Sequence, residues 1–103
     1  MHLLYITAPS KEEALNISGS LVSNKLAACC NILEGATSIY EWEGEIKQEA
    51  EVIIIAKTSS DIIEKAIEHI KSIHPYDCPC VISIKTDKSN SEFCDWVEES
   101  IKK

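Results

Sequence analysis

Apolar and polar positions along the chain follow two periods, one typical of strands and one typical of helices. The segment "HLLYITA", residues 2–8, is a short apolar run rich in β-forming residues and predicts a buried strand. A helix is predicted next, because Ser10 and Glu13 fit a capping box and apolar residues then recur at helical spacing from Ala14 to Leu21.

Residues 28–58 are strand-like almost throughout. Gly35 predicts a break or bulge, and "WEGEI" around Gly44 predicts a hairpin turn. The parity of the pattern places three apolar residues on one face of this segment: Tyr40, Trp42 and Ile46. The continuous apolar run "EVIIIAK", residues 51–57, predicts a central strand that is covered on both faces.

Two more helices and one more strand follow. The segment 59–74 carries a broad stripe of isoleucines at helical spacing and is ended by a proline. Residues 80–86, "CVISIKT", predict a fourth strand. The last segment, 89–103, predicts a helix in which Ser89 and Glu92 form a capping box.

The resulting order is β-α-β-β-α-β with an extra C-terminal helix. It predicts one α+β domain over residues 1–103, a ferredoxin-like sandwich with two helices on one face of an antiparallel sheet. Such a sheet leaves its other face bare, yet the strand 51–57 is apolar on both sides. In a chain this short the expected cover is another copy of itself, so we expect a homo-oligomer.

Charge and composition exclude several classes of protein. The chain of 103 residues has a formal net charge of −7, and its basic residues are all lysine. An acidic protein lacks the cationic patches that nucleic-acid binders need, so no nucleic-acid partner is expected. No signal peptide is recognisable, and no apolar run approaches the roughly 18–20 residues that span a bilayer. We therefore expect a soluble cytoplasmic protein, without a membrane partner, whose five cysteines are thiols.

The segment "HPYDCPC", residues 74–80, concentrates the candidate metal ligands. Cys78 and Cys80 point to the same side of an entering strand, and His74 lies six residues before Cys80. Sulfur and imidazole ligands suit Cu(I) or Zn(II). The alternative is a structural helix-to-strand connection, with His74 bonded to backbone. An enzyme is not expected, because no oxyanion-hole motif or glycine-rich phosphate loop accompanies a Cys–His pair.

Polar residues that flank the apolar strands are the second candidate site. Glu51 and Lys57 bracket the run "VIII" and fall on one side of the strand. They are either solvated strand ends or the lining of a pocket where subunits meet. Tyr40 and Trp42 suit the core or the rim of an oligomer interface, where aromatic residues are enriched.

With these segments laid out, the sequence resembles the CutA family, the divalent-cation tolerance proteins. The resemblance extends over nearly the whole chain, through "ITAP", "KLAACCNILEGATSIYEWEGEI", "EAEVIIIAKT", "HPYDCPCVISI" and "FCDWVEESI". Nine positions match those that the family shares: Tyr40, Trp42, Gly44, Glu51, Lys57, His74, Pro75, Tyr76 and Pro79.

The resemblance implies a homotrimer similar to PII-type assemblies, in which the long hairpin interlocks with neighbouring subunits. It implies binding of copper or another divalent ion, not required for folding, and a role in metal tolerance. The alternative is a trimeric signalling or scaffold module with a ligand cleft lined by Tyr40, Trp42, Glu51, Lys57 and Tyr76. The chain departs from the family at Ile6, where proposed copper sites use Cys, and at Cys80, where an acid is usual. A metal site here would use His74 with Cys80 and Cys78, alone or together with groups from a neighbouring subunit.

Overall fold

The computed structural model describes residues 1–102. A short 3₁₀ turn, Ser60–Ile62, leads into the second helix. The strands and helices are β1 His2–Ala8, α1 Lys11–Ser23, β2 Cys29–Trp42, β3 Glu45–Thr58, α2 Ile63–Ile73, β4 Val81–Lys85 and α3 Ser91–Ile101.

The strands form one antiparallel sheet in the order β2-β3-β1-β4. Together with the helix order this is the ferredoxin-like arrangement with an added C-terminal helix, and the predicted fold class is confirmed. The strand predicted to be central is β3, which pairs with β2 on one side and β1 on the other.

One face of the sheet packs against α1 and α2 and forms the core. Alternate residues of β1 and β3 are buried there, because successive side chains of a strand point to opposite faces. The helices supply Ile17 and Leu21 from α1 and Ile70 from α2. The sheet supplies five hydrophobic residues with no exposed surface: Leu4, Ile6, Ala8, Ile54 and Ala56.

Helix starts agree with the sequence at α1 and differ at α3. Ser10 caps α1 as predicted, its hydroxyl accepting a hydrogen bond from the Glu13 amide at 3.1 Å. At α3 the cap is Asn90, whose side-chain oxygen accepts from the Glu92 amide at 2.9 Å, so the prediction of Ser89 is wrong. Ser and Asn are both preferred at the N-cap position of a helix. The Ser89 hydroxyl lies 3.0 Å from the Cys94 sulfur instead of capping the helix.

The β2–β3 hairpin is bent by a bulge and closed by a two-residue turn. The register shifts between Leu33 and Ala36, where Gly35 has a φ of +89°, so the predicted bulge is confirmed. At the turn Glu43 and Gly44 have φ of +51° and +83°, and a two-residue loop with two positive φ values is typical of a type I′ turn.

This turn corrects the predicted faces of the hairpin. Trp42 lies opposite Glu45 and Tyr40 opposite Lys47, so these four side chains share a face. Ile46 lies opposite Glu41 on the other face. Parity counting failed at Ile46 because the two turn residues belong to neither strand.

Beyond the bulge the hairpin extends as an arm, residues 36–51, and gives the molecule principal extents of 46 × 27 × 21 Å. No residue of the arm is buried. Within residues 1–102 no helix is long and apolar enough to cross a membrane.

The sheet face opposite α1 and α2 carries apolar side chains that this chain does not bury. On β4, Ile82 and Ile84 are 51% and 47% exposed. On β2, Leu33 is 47% exposed, and Ile53 and Ile55 of β3 are half-buried. The helix α3 contacts β3, and its Val97 is fully buried outside the main core. We call the sheet face opposite α1 and α2 the second face.

Candidate functional site

A groove of about 780 Å³ lies where the arm meets the connection between α2 and β4. Its lining combines aromatic, acidic and thiol side chains and contains no lysine. The lining residues are Thr7, Pro9, Tyr40, Trp42, Glu49, Ala50, Glu51, Tyr76, Asp77, Cys78 and Cys80.

Strand register positions the arm's contribution to the groove. Ser38 lies opposite Glu49, and Tyr40 follows two residues later on the same face. Glu49 and Glu51 are likewise two residues apart, so both carboxylates project from one side of β3. The arm therefore presents aromatic rings and carboxylates together.

Glu51 joins the arm to the α2–β4 connection. One carboxylate oxygen accepts a hydrogen bond from the Ser38 hydroxyl, and the other accepts from the Tyr76 hydroxyl at 2.9 Å. Two main causes raise the pKa of Tyr76 to about 12: desolvation by burial is the larger, and this bond to Glu51 is the next. The bonds hold Glu51 in one orientation in the groove lining.

Glu49 plays a similar part nearer the tip of the arm. Its carboxylate accepts a hydrogen bond from the Tyr40 hydroxyl. That bond, made by the neutral phenol to a charged acceptor, raises the pKa of Tyr40. Both phenols are therefore neutral donors at physiological pH.

His74 is buried directly behind the groove and makes hydrogen bonds with both ring nitrogens. Nε2 donates to the Thr7 carbonyl at 2.7 Å, and Nδ1 accepts from the Tyr76 amide at 3.1 Å. A carbonyl can only accept and an amide N–H can only donate, so the partners define the neutral Nε2–H tautomer. The ring also packs against Tyr76, with centroids 4.8 Å apart. His74 thus ties the connection to β1.

The two predicted thiols line the groove, and we call the part of the lining that they form the thiol rim. Cys78 is exposed and Cys80 is half-buried just before β4, where the Cys80 carbonyl accepts from the Thr7 amide at 3.4 Å. Across residues 1–102, no three side chains of His, Cys, Asp or Glu come together in a geometry that could hold one metal ion.

The structure brings four of the five predicted cleft residues to this groove and leaves one elsewhere. Tyr40, Trp42, Glu51 and Tyr76 line it. Lys57 lies at the far end of β3 opposite Cys29, where its ammonium donates to the Asn31 side chain.

Two groove acids were not predicted from the sequence. The alternation of Glu49 with Glu51 on one side of β3 is a signal that could have found Glu49. Asp77 adjoins Tyr76, and no sequence pattern indicated that it would line the groove.

Comparisons with known proteins agree on one family. The family described as CutA1 divalent ion tolerance protein matches residues 2–100. The chain is 39% identical to the divalent-cation tolerance protein CutA of Thermus thermophilus over 95% of each chain. It is 39% identical to the chloroplastic protein CutA 1 of Oryza sativa, covering 95% of this chain but only 55% of that protein, about half its length.

The fold of a solved relative supports the same grouping. The crystal structure of the divalent ion tolerance protein CutA1 from Ehrlichia chaffeensis superimposes with a TM-score of 0.95 at 44% sequence identity. The match covers 97% of this chain and 94% of that one.

Proposed function

The chain belongs to the CutA1 divalent ion tolerance family, and on that premise we propose that it acts in metal tolerance by binding the ion at the thiol rim of the groove. The observation that supports this is that Cys78 and Cys80 line the same groove as carboxylates that have no cationic partner in its lining. Binding rather than catalysis is the proposed activity.

The chemistry of the donors favours a soft or borderline ion. Thiolates prefer Cu(I) and Zn(II), whereas carboxylates alone suit harder ions. A closed zinc site needs four ligands, and one chain does not bring three together within residues 1–102. We therefore place the site between copies of the chain, with Cys80 and Cys78 as one copy's contribution.

His74 can join these thiols only by giving up a hydrogen bond. Both of its ring nitrogens are occupied, by the Thr7 carbonyl and the Tyr76 amide. A metal-binding histidine needs one free nitrogen and usually donates through the other. A role for His74 as a ligand would therefore release the Tyr76 amide from Nδ1.

A metal titration tests the thiols and His74 separately. Under reducing conditions, competition assays with Cu(I) and Zn(II) should show that Cys80→Ser weakens affinity about tenfold or more, and Cys78→Ser less, since Cys78 is the more exposed. His74→Ala should leave affinity nearly unchanged but lower the free energy of unfolding by about 1–3 kcal/mol, because one buried and one partly buried hydrogen bond are lost.

The matched control is Cys94→Ser, a half-buried thiol on α3 away from the groove lining. Equal affinity in the wild type and both rim variants would remove the thiols from the site. A loss in His74→Ala as large as that in Cys80→Ser would restore His74 as a ligand.

A homotrimer is part of the proposal, and the second face supports association between copies of the chain. Ile82, Ile84 and Leu33 are exposed on it, and burying apolar area of this kind drives association. Ile84→Glu should therefore dissociate a trimer seen by light scattering. Leu15→Glu, at an exposed apolar residue of α1, should leave the assembly intact. A monomeric wild type would contradict the proposal.

We also propose a cytoplasmic location, where the five free cysteines would stay reduced. A structural relative from Archaeoglobus fulgidus is described as periplasmic. Fractionation of the native host with an antibody against the chain distinguishes the two compartments.

A second candidate function is a module that binds a small molecule in the groove. The groove volume of about 780 Å³ lies in the roughly 300–1,000 Å³ range of small-molecule sites. A thermal-shift screen tests this, because a ligand that binds only the native state raises the melting temperature. The candidate fails if no compound in a charge-diverse library raises it.

A further inference from the structure

The groove combines two kinds of side chain that together recognise organic cations. Three aromatic rings line it, those of Tyr40, Trp42 and Tyr76. Three carboxylates share the same lining, those of Glu49, Glu51 and Asp77. Aromatic faces attract ammonium groups and pack on alkyl chains, and carboxylates accept charge-assisted hydrogen bonds from N–H groups.

None of the groove carboxylates forms an ion pair with a lysine in the part of the chain that the structure describes. Within residues 1–102 the ion pairs are Lys11–Glu34, Lys47–Glu45 and Lys71–Glu68, and none involves a groove carboxylate. Clefts lined by one sign of charge concentrate ligands of the opposite sign. The groove is thus complementary to a cation.

The carboxylates are held in place before any ligand arrives. Ser38 and Tyr76 donate to the two oxygens of Glu51, and Tyr40 donates to Glu49. An ionised carboxylate has about four acceptor positions, so each still has capacity for a ligand. Preorganised acceptors lower the cost of binding.

We infer that the groove binds a linear aliphatic polyamine, a chain of methylene groups that carries several primary or secondary ammonium groups. Glu49 and Glu51 are two residues apart on β3, which separates their backbone positions by roughly 7 Å. An extended polyamine spaces its charges along a chain, so successive ammonium groups can meet successive carboxylates. The rings of Trp42 and Tyr76 would cover the methylene groups between them.

The exposure of the rings argues against a quaternary ammonium ligand. Such a group donates no hydrogen bonds and relies on enclosure by an aromatic cage. Within one chain Trp42 is 61% exposed, Tyr40 is 40% exposed and Tyr76 is 36% exposed, so the rings that one chain contributes form an open wall. An open wall with several acceptors suits a long, multiply charged chain better.

This inference rests on the second candidate function, a small-molecule module, and is separate from metal binding at the thiols. It assigns the carboxylates and rings of the groove to the ligand and leaves Cys78 and Cys80 out of its recognition. Variants of the acids and variants of the thiols therefore test different statements.

The test uses Trp42 as a reporter. The chain has two tryptophans, so Trp96→Phe on α3 leaves Trp42 as the only indole. Titration of this full-length variant with spermidine should change the Trp42 fluorescence with saturation, and calorimetry on the wild type should give the same affinity. Glu51→Gln and Asp77→Asn should each weaken binding about tenfold, since each removes a charged acceptor. Added salt should weaken it further.

The control is Glu41→Gln, which removes the same charge from the opposite face of the arm and should leave spermidine affinity within about twofold. Circular dichroism of each variant checks that it folds. The inference is overturned if spermidine does not bind below about 1 mM, if tetramethylammonium binds more tightly, or if Glu41→Gln weakens binding as much as Glu51→Gln. In the first case a hit of another charge class in the thermal-shift screen would leave the small-molecule module standing, and no hit at all would remove both.

Discussion

The strand β3 belongs to two regions that differ in almost every physical respect. From Val52 to Thr58 every second side chain is buried, and Ile54 and Ala56 have no exposed surface. From Glu45 to Glu51, on the arm, no side chain is buried, and Ile46 is 71% exposed. Both regions pair with β2 along the same hydrogen-bonded ladder, and the register of this ladder shifts at the bulge at Gly35.

The difference shows how one hairpin can serve stability and recognition. The half of β3 from Val52 to Thr58, which we call the body half, is stabilised by apolar area buried against α1 and α2. The arm gains little in that way, and its side chains remain available to the groove. The bulge marks the border, since bulges bend and twist a strand and re-aim its side chains. We expect mutations in the two halves to have separable effects.

The largest expected effect is in the body half. Ile54→Ala should lower the free energy of unfolding by about 2–5 kcal/mol, because it removes buried methyl groups from a closely packed core. Ile46→Ala, the same change on the arm, should cost less than about 0.5 kcal/mol. Denaturant unfolding of both variants measures the contrast. A cost at Ile46 close to that at Ile54 would show that the arm is buried in solution and would break the comparison.

The body half was largely predictable from sequence, because burial leaves a pattern. The short apolar run at residues 2–8, the continuous apolar run at residues 51–57 and the helical stripes predict the strands, helices and fold, and Gly35 predicts the bulge. The cap of α3 was missed by one residue because Ser89 and Asn90 have similar capping preference. Such choices depend on the loop geometry, which the sequence does not specify.

The groove was only partly predictable. The odd or even position of a residue in a strand predicts the face on which its side chain lies, but it does not predict how far apart two side chains are. Glu51 and Lys57 fall on one side of β3, but six residues of strand separate them by roughly 20 Å. A metal role for His74 was open in sequence because its hydrogen-bond partners are backbone groups. The Thr7 carbonyl is 67 positions away along the chain and becomes a partner only in the fold.

An intermediate effect is expected at the tip of the arm. Gly44 has a φ of +83°, and a Cβ at this position would meet no atom within 4 Å beyond its chain neighbours. Gly44→Ala therefore introduces backbone strain without a steric clash against the rest of the fold. The cost of about 1 kcal/mol should appear as a roughly fivefold loss of amide protection in the arm. Protection should be unchanged at β1 amides that exchange by local opening of the sheet with the turn still folded. A loss at those amides equal to the loss in the arm would show that the two regions open as one unit.

The smallest effect at neutral pH, and one with a defined pH window, is expected for Tyr76→Phe. The pKa of Tyr76 is about 12 in the folded chain and near 10 when unfolded. Between these values the folded state holds a proton that the unfolded state has released. The stabilisation is therefore complete below pH 10 and is lost as the pH rises toward 12.

Denaturant unfolding of the wild type and Tyr76→Phe across this range gives the comparison. Because Tyr40 is present in both chains, the difference between their slopes isolates Tyr76. The wild type should lose stability more steeply between pH 10 and 12, and Glu51→Gln, which removes the charged acceptor of the Tyr76 hydroxyl, should make its slope shallower. Equal slopes in all three chains would mean that Tyr76 does not bond to Glu51 in solution. The connection between the arm and the rest of the groove would then have to rest on other contacts.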